Sequence, residues 1–87
     1  MNIKEYNDLN VARKKLALRD AGYTSSDPFD VIEDLGLKGY EFSLQHMADR
    51  WGVVWFGKRK IENYPLFDNA TDAIYYAALQ AAESVKQ

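Results

Sequence analysis

Four carboxylates, Asp27, Asp30, Glu33 and Asp34, fall within residues 27–34. They recur at intervals of one, three and four residues, so a helix there shows them as one acidic surface. Such a surface attracts cationic partners and repels anionic ones; it steers association and rejects wrong partners more than it adds affinity. The spacing is not that of a calcium loop. A second concentration of charge is Lys58-Arg59-Lys60, near Trp55 and Tyr64. Cations with aromatic neighbours can hold phosphates and stack on bases. Catalysis has less to work with. His46 is the only histidine and there is no cysteine. A triad would need His46 as base for Ser25, Ser26, Ser43 or Ser84, none of which sits in a nucleophile motif. Thiolate metal sites are excluded, and Gly36-Leu37-Lys38-Gly39 lacks the Lys-Ser/Thr pair of a phosphate loop. The residues point to binding without catalysis, cofactor or metal.

The charges are also segregated. Residues 23–49 carry six acids against Lys38, a balance of -5, and residues 50–62 carry four cations against Glu62, a balance of +3. The whole chain is at -2, so its overall charge calls for no nucleic acid. Three adjacent cations make a small phosphate footprint on an acidic domain, which puts nucleic-acid binding through Lys58, Arg59 and Lys60 second to protein binding.

The elements that must position these groups follow from periodicity and caps. Ile3, Tyr6, Leu9, Ala12 and Leu16 form a helical stripe, with Asn2 and Glu5 as a capping box, which predicts one helix over Ile3–Ala21 ended by Gly22. Asp27 caps and Pro28 starts a short helix, Pro28–Leu35, with Phe29, Ile32 and Leu35 as its apolar face. From Gly39 the period changes to two, with Tyr40, Phe42 and Leu44 alternating with polar residues. Trp51–Phe56 is a second, aromatic and β-branched strand, apolar on both faces, and Ile61–Phe67 a third, marked as an edge or bulge by Pro65. Asn69 caps a last helix whose apolar face holds Ala70, Ala73, Ile74, Ala77, Ala78 and Ala81. The expected fold is α+β: N-terminal helix, short helix, three-stranded antiparallel meander and a C-terminal helix packed on the sheet.

At 87 residues the chain has room for one domain, residues 1–87. Its longest apolar run, Val53–Phe56, is far short of the roughly 18 residues of a membrane span. The first residues form no signal peptide, and with cysteine absent the expected compartment is the cytoplasm. The Asn69-Ala70-Thr71 tripeptide then serves as a helix cap rather than a glycosylation acceptor.

Three features together resemble a known family: the strand Gly39-Tyr40-Glu41-Phe42, the strand Trp51-Gly52-Val53-Val54-Trp55-Phe56, and the step Phe67-Asp68-Asn69-Ala70-Thr71-Asp72-Ala73 into an alanine-containing helix. Over residues 39–82 the chain is similar to bacterial immunity proteins, including those paired with contact-dependent growth inhibition toxins. The resemblance implies a cytoplasmic inhibitor, monomeric or weakly dimeric, that neutralises a cognate toxin domain. Toxins of this class are commonly nucleases with basic substrate surfaces. Asp27, Asp30, Glu33 and Asp34 would then be charge contacts imitating the substrate, with Trp55 and Tyr64 as anchors. A phage-type inhibitor of a host defence enzyme would have the same chemistry and is an open alternative, as is the nucleic-acid-binding hairpin.

Overall fold

In the computed structural model, which describes residues 1–57, 61 and 64–85, the described residues form four helices and one β-hairpin. The stripe expected to run unbroken from Ile3 to Ala21 is two helices, α1 (Ile3–Asn7) and α2 (Val11–Asp20). Asn2 and Glu5 make the expected capping box on α1, with bonds of 2.8 and 3.3 Å. A second cap interrupts the stripe: the Asn10 side chain accepts from the Arg13 N–H at 2.9 Å, with an extended backbone at ψ 172°. A residue in that conformation starts a helix and cannot lie inside one.

Asp27 caps α3 (Pro28–Leu37) by accepting from the Phe29 N–H at 2.8 Å, and Pro28 takes the first turn. The helix runs two residues beyond the expected Leu35 and carries Gly36 inside it. The chain leaves through Gly39, whose φ of +89° suits a residue without Cβ.

Strands β1 (Glu41–Met47) and β2 (Arg50–Phe56) pair antiparallel, with Phe42 opposite Trp55, Leu44 opposite Val53 and His46 opposite Trp51. Ala48 and Asp49 close the hairpin, both left-handed, at φ 51° and 61°. Among the described residues the expected three-stranded meander is not formed: the sheet there has two strands, and Phe67 adds one isolated bridge to Trp51, with bonds of 2.7 and 2.8 Å. Two causes are visible. Pro65 has no N–H to give to a ladder. Leu66 folds onto the sheet over Gly52, where a Cβ would lie 2.8 Å from Leu66 Cδ2. Among the described residues the segment therefore meets the edge of β2 at one position, Phe67, without forming a ladder. The expected turn at Lys58-Arg59-Lys60 lies outside the described residues, as do Glu62 and Asn63 of the expected third strand.

Helix α4 (Ala70–Val85) is the centre of the molecule. Asn69 caps it, accepting from the Asp72 N–H at 2.8 Å. Every residue from Ala73 to Leu79 is buried, so the helix is covered on all sides. Both strands, α2 and α3 pack against it. Tyr76 meets the rings of Tyr6 and Phe67 at 5.3 and 5.5 Å, while its neighbour Tyr75 turns away and donates to the Ser26 carbonyl. Tyr23 and Tyr40 donate to the Ala78 and Ala81 carbonyls at 3.3 and 3.1 Å. No helix of the described residues is long and apolar enough to cross a membrane.

Candidate protein-binding face

Helix α3 sets the geometry. Val31 and Leu35, four residues apart, are buried, and α3 packs on α4. The expected apolar face of Phe29, Ile32 and Leu35 is corrected here: Ile32 is half-buried, and Phe29 is 80% exposed. The cap at Asp27 fixes the phase of the helix. With about 100° per residue, Phe29 is two steps from Val31 and comes out on the far side. Leu37 is also 80% exposed. Phe29, Glu33 and Leu37 thus follow one line along the outside of α3, about 12 Å long at roughly 1.5 Å per residue. Asp30 and Asp34 form the line beside it.

The four acids differ in their commitments. Asp27 caps the helix. Asp30 accepts from the Ser25 hydroxyl at 2.7 Å, and the Ser25 oxygen accepts from the Asp27 N–H at 3.0 Å, which ties the loop to the helix start. Asp34 pairs with Lys38 at 2.9 Å, and the Lys38 ammonium lies 3.8 Å from the centroid of the Tyr23 ring. Burial pulls that ammonium down, but its bonds to Asp34 and Tyr23 outweigh burial and hold it above the ordinary lysine range. Glu33 is exposed and has no partner among the described residues. Glu33 is thus the acid of this face left uncommitted, and Asp30, bonded only to a neutral hydroxyl, keeps its charge as well.

The other sequence-predicted residues lie elsewhere. Trp55 is in the core, 2% exposed, with Tyr40 and Phe42 at ring distances of 5.4 and 5.8 Å. Its buried indole N–H has no acceptor among the described residues. Tyr64 is 49% exposed, in the segment that leads over Gly52. The structure brings Asp30, Glu33 and Asp34 together on α3, leaves Asp27 at the helix cap, and places neither aromatic on α3. Lys58, Arg59 and Lys60 are outside the described residues. His46 stacks on Trp51 at 4.7 Å and makes no hydrogen bond to a serine among the described residues. Phe29 and Leu37 are the members sequence reasoning missed. The signal was their four-residue spacing with Glu33, out of phase with Val31 and Leu35.

A second polar cluster joins α1, α2 and α4. Asp72 accepts from the Tyr6 hydroxyl at 2.7 Å, from Lys14 at 3.1 Å and from the Asn69 amide at 2.9 Å. Burial alone would raise the Asp72 carboxyl, but these three donors bring it below the usual carboxylate range. The Tyr6 hydroxyl is pushed well up, first by burial and then by Asp72. The arrangement crosslinks three helices. Among the described residues no three His, Asp or Glu side chains converge as a metal site needs.

Comparison of the chain with protein-family models, with curated proteins and with solved structures finds no match.

Proposed function

We propose that this chain is a non-enzymatic inhibitor, an immunity protein that binds a cognate bacterial toxin domain, a nuclease, in the cytoplasm. The observation that supports it is the outer face of α3, where Asp30, Glu33 and Asp34 lie among Phe29 and Leu37, two large apolar side chains that remain 80% exposed. Apolar groups held out in water among charges are the composition of an interface. The carboxylates imitate the charge of a nucleic-acid backbone and guide a cationic surface into place. The apolar pair supplies contact area once water is expelled. With Trp55 in the core, Phe29 takes the anchoring part that the sequence suggested for it.

The test is affinity capture from cells that encode the chain, using the tagged protein beside a D30K/E33K/D34K variant. The expected result is one stoichiometric protein that is toxic when expressed alone, harmless when co-expressed with the chain, and not retained by the variant. Recovery of RNA or DNA in its place, released by moderate salt, would overturn the proposal.

A further inference from the structure

Residues 22–26 stand between two grooves of opposite charge. On the α2 side, a groove of about 710 Å³ is walled by Lys15, Leu16 and Arg19 and has no carboxylate in its lining. On the α3 side, a groove of about 230 Å³ is walled by Asp30, Glu33, Asp34 and Leu37; Lys38 pairs with Asp34 and lies over the Tyr23 ring, so Asp30 and Glu33 carry the groove's net charge. Tyr23, Thr24 and Ser25 line both and form the ridge between them. Lys15, Arg19 and Glu33 have no ion-pair partner among the described residues. Each groove also has one exposed leucine at its edge, Leu16 at 52% and Leu37 at 80%.

A surface divided this way is complementary to itself in charge. Half a turn about an axis through the ridge lays the cationic groove of one copy over the anionic groove of another, and the reverse. We propose that this face binds a second copy of the chain, forming a two-fold dimer in which α2 of each copy lies against α3 of the other. Lys15 and Arg19 of one copy face Asp30 and Glu33 of the second, and Leu16 meets Leu37. A partner basic throughout would satisfy only the α3 half of this surface and be repelled by the α2 half; a second copy satisfies both. The inference goes beyond the inhibitor reading and stands or falls without it. It adds that a toxin and a second copy compete for α3. Exposed ion pairs are individually weak and screened by salt, so the dimer forms at high protein concentration and low ionic strength.

Sedimentation equilibrium of the full chain tests this. At about 10 mM salt, where charges act over roughly 30 Å, the mass is expected to rise with concentration from 10.0 kDa towards twice that value and to stop there. At about 1 M salt, where the range is roughly 3 Å, it is expected to return to the single-chain mass. K15E/R19E and D30K/E33K should each abolish the rise, and mixing the two variants should restore it, which also shows that both are folded. Three results would overturn the proposal: a single-chain mass at every concentration in low salt, a dimer indifferent to both charge reversals, or assemblies that grow past two copies.

Discussion

The Tyr6 hydroxyl donates a 2.7 Å hydrogen bond to the Asp72 carboxylate across 66 positions of sequence. Together with the Tyr6–Tyr76 ring contact it fastens α1 to α4. Tyr6 is fully buried and Asp72 is charged, so the bond belongs to the stronger, charge-assisted kind. Y6F is expected to lower stability by about 1.5–3 kcal/mol. D72A should cost more, because it leaves the Tyr6 hydroxyl and the Lys14 ammonium without their acceptor and removes one side of the Asn69 cap. Urea unfolding midpoints of the two variants check the order; equal or negligible losses would show that α1 is not fastened here.

The same cluster predicts the behaviour in acid. The folded-state value of Asp72 lies below its ordinary 3.8. Its contribution is therefore whole above the unfolded value and is lost as pH falls through the lower, folded one. Thermal melts from pH 7 to pH 2 should show the wild type losing stability in that acid window, with a shallower loss in D72N. Identical slopes in the two proteins would contradict the assignment.

In alkali the sign reverses. Burial raises the hydroxyls of Tyr6, Tyr23, Tyr75 and Tyr76 above their ordinary 10.0. Stability held by these neutral phenols is whole below pH 10 and lost as pH climbs through the raised values. The part of the tyrosinate absorbance that belongs to these four buried rings should therefore change together with far-UV circular dichroism in one cooperative step. Smooth titration of all the tyrosines with the helical signal intact would be the contrary result.

The hairpin turn can be improved. Ala48 and Asp49 both occupy the left-handed region, where a Cβ is disfavoured and Asn-Gly is the preferred pair. A48N/D49G should raise stability by about 1 kcal/mol or more without altering the register. Urea midpoints measure the gain, and a loss would mean that Ala48 makes contacts worth more than the strain.

The phase of α3 is tested by two truncations. L35A removes a buried side chain and should cost about 2–5 kcal/mol. F29A removes a larger but exposed one and should shift stability by less than about 0.5 kcal/mol. A costly F29A would place Phe29 in the core after all.

These contrasts show which information the sequence held. Caps were legible because their chemistry is local: Asn2 with Glu5, Asp27 with Phe29, and Asn69 with Asp72 each bond within three residues. The four acids of α3 were legible as a group for the same reason. Asn10 was not, because Tyr6 and Leu9 continue into Ala12 and Leu16 at helical spacing, and only the cap's own hydrogen bond shows the break. The third strand failed because joining a ladder is a tertiary decision. The stretch before Phe67 reads as extended, but Pro65 has no N–H for a ladder and the Leu66 side chain lies against Gly52, neither of which periodicity weighs. Phe29 was misplaced because a ten-residue helix has few apolar positions, and choosing Phe29 over Val31 rotates the whole face.

The all-round burial of α4 also bears on how the protein is made. Every other described element precedes α4 in the chain and packs its apolar side against it or against residues that do. While residues 1–57 leave the ribosome, Leu18, Val31 and Trp55 have no finished surface to bury against. The interior closes only when residues 70–85 have emerged. The earlier segments are thus expected to finish packing only once α4 is available, and a nascent chain stalled before α4 is expected to be a substrate for chaperones and proteases rather than a partly built domain.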